Sequence, residues 1–182
     1  LKKMLTVTGT TNQIPVKVQH LDEFIPLLKE KNIVYRFVGS LTGYFIYSSR
    51  QNLSLSYNWK IKFNETGKIP AFYNIFPELN HNEMVGYTGF KKLGAKNFAV
   101  IILQDADDHQ RIQKRMKLTA NLIKKSGIGK IELVNIKSGS MIFKVFSALL
   151  LGDWVSYYTA INQKIDPTPV DMVENFKKLM AK

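Results

Sequence analysis

A carboxylate and an imidazole stand on either side of one apolar segment of this chain. Glu65 enters and His81 leaves the run from Ile69 to Phe76, which is apolar and aromatic enough to predict a buried strand with Glu65 on the loop before it. A glutamate becomes an effective base when partial burial raises its pKa, and histidine titrates near neutral pH. Open α/β sheets build sites from polar groups at strand ends. The spacing therefore predicts a site for proton transfer.

The residues around Glu65 and His81 resemble a known enzyme family. Residues 64–68 (NETGK) and 77–83 (PELNHNE) look like the Asn-Glu-Asn-x-Lys and Pro-Glu-Leu-x-His-Asn-Glu elements of the bifunctional phosphoglucose/phosphomannose isomerases. A further match runs from residues 151–156 (LGDWVS) through residues 166–169 (DPTP). The resemblance is to the C-terminal sugar isomerase (SIS) domain of those enzymes, and it covers nearly the whole chain from about Ile33 onward.

The resemblance implies roles for three side chains. Glu65 aligns with the base that forms a cis-enediol from the sugar, and His81, sixteen residues downstream, aligns with the residue that opens the sugar ring. In that family the histidine reaches the site of the neighbouring subunit, which implies a homodimer whose two sites each combine residues of both chains. Lys177 resembles the lysine that assists ring opening, and the adjacent Lys178 is the alternative assignment.

The same resemblance implies a function for the chain. It is that of an aldose–ketose isomerase half, which interconverts glucose 6-phosphate and mannose 6-phosphate with fructose 6-phosphate. The reaction needs a base, an acid and a phosphate-binding group, but no metal or redox cofactor. In the family most phosphate contacts come from an N-terminal SIS domain, and none of that domain is present in these 182 residues. We therefore expect a fragment that is catalytically incomplete alone, and the alternative is a non-catalytic sugar-phosphate-binding module.

Three further residues are candidate substrate contacts. Gly39 and Ser40 open a turn that ends at Gly43, and a glycine turn at a strand-to-helix junction can present backbone N–H groups to an anion. The other interpretation of this stretch is an ordinary turn before a helix. Asn64 belongs to the same motif as Glu65 and is the third candidate.

The composition limits the classes of function. No cysteine is present, which excludes disulfides and thiolate metal sites and fits a reducing cytoplasm. The net charge of +12 is spread along the chain without an Arg-rich run, a zinc pattern or a helix-turn-helix. This favours anionic sugar phosphates over nucleic acid as partners. The only long apolar run, Met141 to Ile161, contains Lys144 and Asp153 and predicts a buried helix instead of a membrane span.

Strand and helix patterns alternate along the chain. Strands are predicted at residues 33–38, 69–76, 98–103 and 131–136, and helices at 21–28, 109–125, 140–163 and from Pro169, with Thr168 as its N-cap. This alternation predicts a three-layer α/β/α doubly wound domain with a mainly parallel sheet of about five strands. We assign residues 1–18 to a linker or N-terminal arm and residues 19–182 to the SIS domain.

An acidic turn follows the predicted strand at residues 98–103. Its members Asp105, Asp107 and Asp108 could bind a cation, or they could cap the helix that runs from His109 to Lys125. The spacing lacks the glycine and the terminal glutamate of a calcium loop, so we favour capping.

Overall fold

The computed structural model describes residues 41–93 and 95–181, and within those ranges strands alternate with helices. The strands are β1 (Gly43–Ser49), β2 (Ala71–Phe76), β3 (Phe98–Gln104) and β4 (Lys130–Asn135). The helices are α1 (Leu53–Glu65), α2 (Glu83–Gly86), α3 (Phe90–Leu93), α4 (Gln110–Lys125), α5 (Met141–Asn162) and α6 (Asp171–Met180). Single 3₁₀ turns lie at Arg50–Asn52, Glu78–Asn80, Tyr87–Gly89 and Ala95–Asn97.

The described strands form one parallel sheet in the order β2-β1-β3-β4. Tyr44 of β1 lies opposite Ala71 of β2 and Ala99 of β3. Parallel strands require crossover connections, and helices provide these on both faces of the sheet. The predicted doubly wound α/β class is confirmed, with four strands in the described ranges instead of about five. The strand expected at residues 33–38 and the helix expected at 21–28 lie outside the described residues.

The central strand β1 is missing from the sequence-based prediction, which expects a strand-to-helix junction after Gly39. The described end of that turn, from Leu41 to Gly43, leads into β1 instead, and α1 begins only at Leu53. The amide of Thr42 donates a hydrogen bond to the carbonyl of Asn97 at 2.7 Å, which ties the start of β1 to the start of β3. The junction between a strand and a helix is therefore at the far end of β1.

One face of the sheet packs against α1 and α5. Tyr44 of β1 stacks on Phe63 of α1 with ring centroids 4.1 Å apart. The indole N–H of the fully buried Trp59 donates to the carbonyl of Ala148 in α5 at 2.9 Å. A Cβ atom at Gly152 would lie 2.8 Å from the indole nitrogen, so glycine is what allows α5 to approach α1 this closely.

The opposite face is covered by α4 and by the segment that follows β2. Successive side chains of a strand point to opposite faces, so Tyr47 lies on this side while Tyr44 lies on the other. The buried cluster here consists of Tyr47, Phe76, Leu79, Tyr87, Val100, Ile102, Met116, Ala120, Ile123 and Ile128.

β2 lies at an edge of the described sheet, whereas its apolar sequence predicts a buried strand. The side chains of Phe72 and Tyr73 are 54% and 39% exposed, although Ala71 and Phe76 at its two ends are buried. An aromatic run fits an edge or an interior strand equally well, because strand order is set by contacts distant in sequence.

The long apolar run forms α5, as predicted, but the expectation of a buried helix is wrong for its first turns, where Met141, Ile142 and Phe146 are exposed. The hydroxyl oxygen of Ser140 accepts a hydrogen bond from the amide of Phe143 at 3.3 Å and caps the helix. Among the residues that the structure describes, no helix combines the length and the apolarity needed to cross a bilayer.

Candidate functional site

Glu65 is the last residue of α1, not a loop residue as the sequence pattern predicts. The chain passes from it through residues 66–70 to the start of β2, so Glu65 lies at the amino edge of the sheet. Its side chain is exposed, and its carboxylate forms no hydrogen bond or ion pair with any described residue. Among the described residues, none therefore competes for this carboxylate.

His81 lies beyond the opposite end of β2. It follows the 3₁₀ turn Glu78–Asn80, and its amide donates to the carbonyl of Glu78 at 2.9 Å. The side chain is exposed, and within the described ranges the imidazole has no hydrogen-bond partner. The backbone at His81 is thus held in place, while no described residue binds either ring nitrogen.

The structure does not bring Glu65 and His81 together within one chain. The six residues of β2 stand between them, and at ~3.3 Å per residue the strand alone spans about 20 Å. Hydrogen-bond reach is about 3 Å, so one small substrate cannot contact both groups of a single chain. Within one chain the two side chains therefore lie beyond opposite ends of β2.

Lys177 lies on the exposed helix α6. Its ammonium group donates to the carboxylate of Glu174 at 2.7 Å, and both side chains are at least half exposed. Lys178, the alternative assignment, is exposed beside it. Neither lysine is buried in a pocket of this domain.

The segment that leads into α6 lies against the loop that follows Glu65. The ammonium group of Lys68 in that loop donates to the carbonyl of Pro169. Hydrogen bonds from the backbone and side chain of Thr168 lower the pKa of Asp166, and the charge of Lys68 acts in the same direction. The loop that follows Glu65 and the segment that precedes α6 are therefore in contact at Lys68 and Pro169.

The candidate substrate contacts have different positions. The side-chain oxygen of Asn64 accepts a hydrogen bond from the amide of Ala71 at 2.8 Å, so this residue fixes the first residue of β2 to the end of α1. Gly39 and Ser40 lie outside the described residues, and their assignment stays a prediction.

A separate group of polar residues lies where β1 and β3 end, and we call it the carboxyl-edge cluster: Asn52, Asp105, Asp107, Asp108 and Lys144. Lys144 on α5 donates to Asp105 at 2.8 Å and also to Asp107. The amide nitrogen of Asn52 lies 3.4 Å from Asp105 and 3.5 Å from Asp108. Asp105, Asp108 and Lys144 are buried.

The aspartates of this cluster do not cap α4, contrary to the prediction. The cap is His109, whose Nδ1 accepts from the amide of Arg111 at 3.1 Å. Asp105 instead accepts from the amide of Asp107 at 3.0 Å, inside the loop, because its carboxylate is turned toward α5. In the part of the chain that the structure describes, no three His, Cys, Asp or Glu side chains are arranged to hold a metal ion.

Lys144 stabilises the charged state of this cluster. Burial by itself would raise the pKa of Asp105, but hydrogen bonds from Lys144, the Asp107 amide and Asn52 outweigh burial and lower that pKa. Hydrogen bonds to Asp105 and Asp107 raise the pKa of Lys144. The chain leaves β1 toward β2 and leaves β3 toward β4, so the cluster occupies the switch point at which doubly wound sheets usually bind ligands. Here Lys144 already binds two of the three carboxylates from within the fold.

Sequence reasoning does not identify Asn52 and Lys144 as members of this cluster. Lys144 interrupts the apolar run of α5, and a lysine is rarely buried without a partner. That single charge is the signal that could have predicted a buried carboxylate nearby. Asn52 follows β1 and could not be placed without recognising that strand.

A family model and several curated relatives agree on one protein family for this chain. The family model described as "Bacterial phospho-glucose isomerase C-terminal SIS domain" matches residues 29–180. The bifunctional phosphoglucose/phosphomannose isomerase of Caldicellulosiruptor bescii is 39% identical over 123 residues, which are 68% of this chain and 36% of the relative. The protein of the same name from Aquifex aeolicus is 29% identical over 185 residues, which are 100% of this chain and 56% of the relative. The chain thus spans about half the length, or less, of these relatives.

Solved structures support the same fold. A glucose-6-phosphate isomerase like protein from Thermus thermophilus has a TM-score of 0.55 at 15% identity, with 77% of this chain and 46% of that chain covered. A glucosamine-6-phosphate deaminase from Thermotoga maritima has a TM-score of 0.52 at 15% identity, with 82% and 44% covered. At these identities the likeness concerns the fold alone.

Proposed function

Because this chain belongs to the family of bacterial phospho-glucose isomerase C-terminal SIS domains, we propose that it forms half of an aldose–ketose isomerase. Its substrates would be glucose 6-phosphate and mannose 6-phosphate, which it interconverts with fructose 6-phosphate. The proposal rests on the position of Glu65 and His81, two exposed proton-transfer groups without a partner in the described residues, at opposite ends of one strand.

The chemistry assigns one role to each candidate. His81, assisted by Lys177, transfers a proton to the ring oxygen, and the sugar opens to its linear form. Glu65 then removes the proton from C2 of the aldose to form a cis-enediol and returns a proton to C1. C1 is reduced as C2 is oxidised, so electrons balance within the sugar and no external oxidant is required.

Two chains are needed because one chain separates the two groups. We propose a homodimer in which the imidazole of His81 reaches the site that contains Glu65 of the other chain. A twofold axis makes such an exchange reciprocal and produces two equivalent sites. The support for this arrangement is the length of β2 between the two side chains.

We further propose that this chain alone is catalytically incomplete. Glu65 is exposed, whereas an effective glutamate base is partly buried, so the burial has to be provided by another domain or subunit. The proposed phosphate contacts also lie elsewhere, and the chain spans only about half of the length of its relatives.

Phosphorylated sugars are retained inside cells, which is our reason for proposing that the protein is cytoplasmic.

Mixing a Glu65 variant with a His81 variant tests whether each site combines residues of two chains. The experiment uses the polypeptide that turns over fructose 6-phosphate, whether this chain or a longer one that contains it. Glu65→Gln and His81→Asn are each expected to keep only a small residual turnover, which steady-state kinetics still resolves. Unfolding and refolding them together should restore about a quarter of wild-type turnover, because half of the dimers are mixed and one of their two sites is intact. Refolding each variant alone is the control.

The outcomes separate the possibilities. If the refolded mixture turns over no faster than each variant alone, Glu65 and His81 act in one chain. Turnover that neither substitution changes would refute the isomerase assignment, and retained binding of fructose 6-phosphate would then indicate the non-catalytic binding module. Appreciable turnover by residues 1–182 alone would refute incompleteness.

A further inference from the structure

The carboxylate of Glu83 links the segment that carries His81 to the sheet. Glu83 begins α2, two residues after His81. Its Oε1 accepts a hydrogen bond from the hydroxyl of Tyr47 on the central strand at 2.6 Å. Its Oε2 accepts from the side-chain amide of Asn74 on β2 at 2.5 Å. Both oxygens are therefore bound to strands that cannot shift independently of the core.

A buried tyrosine pair supports this carboxylate. The hydroxyls of Tyr47 and Tyr87 are hydrogen-bonded to each other, and both residues are buried. Because Tyr47 gives its only proton to Glu83, Tyr87 is the donor in the contact between the two hydroxyls. Burial, together with the nearby negative charge of Glu83, raises the pKa of both tyrosines. Tyr87, Tyr47 and Glu83 thus form a short chain of hydrogen bonds with one direction.

The residues before His81 are anchored as well. The side chain of Leu79 is fully buried in the core. The side-chain amide of Asn80 donates to the hydroxyl of Thr119 on α4 at 2.7 Å. His81 therefore stands between two points of attachment, one to α4 and one to the sheet, while its own ring is exposed.

The other glutamate of the motif has no such link. Glu78 is exposed, and among the residues that the structure describes its carboxylate accepts only from the side-chain amide of Asn82 at 3.0 Å, within the same segment. Neither glutamate contacts the imidazole of His81. Any influence of Glu83 on catalysis has to pass through the backbone between the two residues.

We propose that Glu83 is a positioning residue for His81, which acts by fixing the segment Pro77–Gly86 to Tyr47 and Asn74. This inference rests on the proposed function, since it assigns Glu83 a part in presenting the imidazole to the site of the other chain. An exposed catalytic group that has to reach across an interface needs a rigid backbone to hold it, because a displacement of about 1 Å can reduce the rate about a hundredfold.

A double-mutant cycle in the active polypeptide tests the proposal. Glu83→Gln keeps an acceptor for Tyr47 but loses the carboxylate contact with Asn74, and kcat for fructose 6-phosphate should fall about tenfold with KM nearly unchanged. Glu83→Ala loses both contacts and should fall further. In the His81→Asn background the same substitutions should change kcat by less than about twofold, because a group that acts only through His81 has nothing left to position. Glu78→Gln is the matched control and should retain wild-type kcat.

A role in stability alone gives a different pattern. If Glu83 only supports the fold, kcat of the folded protein stays at the wild-type value, or the loss is the same with and without His81; either result overturns the proposal. Should the Glu83 variants not fold, Tyr47→Phe removes the same hydrogen bond while it preserves the aromatic packing, and it should show the same dependence on His81. If His81→Asn itself retains full turnover, the proposed function fails instead, and the two failures are thereby distinguished.

Discussion

The carboxyl-edge cluster and the pair of Glu65 and His81 are built from similar ionisable groups, yet their surroundings differ. In the cluster, Lys144 and Asp105 are buried and bonded to each other, so their hydrogen-bonding capacity is used inside the fold. Glu65 and His81 are exposed and have no partner among the described residues. Lys144 thus occupies two carboxylates where the topology favours a ligand, whereas no described residue binds the candidate catalytic groups. Availability to a partner, more than location in the sheet, distinguishes the functional candidates here.

The largest expected effect is on Glu65, the open side of the comparison. Glu65→Gln keeps the shape of the side chain but removes the base, and turnover of fructose 6-phosphate by the active polypeptide should fall about a thousandfold. The free energy of unfolding should stay within about 0.5 kcal/mol of wild type, because the exposed carboxylate has no hydrogen bond or ion pair with the described part of the chain. Steady-state kinetics and urea unfolding measure the two quantities. A substantial loss of stability with turnover intact would reverse the contrast between the two regions.

Substitutions in the carboxyl-edge cluster should change the free energy of unfolding, in contrast to Glu65→Gln. Asp105→Ala leaves the buried Lys144 without its buried partner and should lower the free energy of unfolding by about 3 kcal/mol. Asp107→Ala removes the exposed partner of the same lysine and should cost less than about 1 kcal/mol. Urea unfolding of the two variants gives this difference directly, and equal losses would mean that burial does not govern the strength of these contacts.

Alkaline pH should lower the free energy of unfolding through the buried Tyr44. Burial raises the pKa of Tyr44 to about 12, with a hydrogen bond to Thr159 acting in the opposite direction. A folded-state pKa above the unfolded value of about 10 stabilises the fold fully below pH 10 and loses this contribution as pH rises from 10 to 12. The loss for Tyr44 should be about 1.4 kcal/mol per pH unit in that window. Unfolding curves of wild type and Tyr44→Phe, measured between pH 8 and 11, should diverge above pH 10; parallel curves would contradict this expectation.

The smallest effects are expected on α6. Lys177→Ala removes an exposed ion pair with Glu174 and should change the free energy of unfolding by less than about 0.5 kcal/mol. If Lys177 assists ring opening, turnover should nevertheless fall about tenfold, while Lys178→Ala stays at the wild-type rate. Kinetics of the two neighbouring variants decide between the two lysines, and a loss confined to Lys178→Ala would shift the assignment by one residue.

Much of the architecture follows from local sequence patterns. The runs that form β3 and β4, the basic helix α4 and the apolar helix α5 were predictable because each has a period or a composition typical of its element. β1 was not recognised, although Tyr44 to Tyr47 is a continuous apolar run between a glycine and two serines. Gly39 and Gly43 lie just before this run and favour a turn, and the prediction places a helix, not a strand, after that turn.

The site divides along the same line. The sequence alone determined the family, through the residues around Glu65 and His81, and it determined an α/β alternation, because motifs and periodicity are local. Only the tertiary structure decided that β2 lies at an edge of the described sheet, that Lys144 neutralises Asp105 and that Glu83 is held by Tyr47. These depend on which strands and helices become neighbours, and such contacts join residues that are 36 to 39 positions apart in the chain.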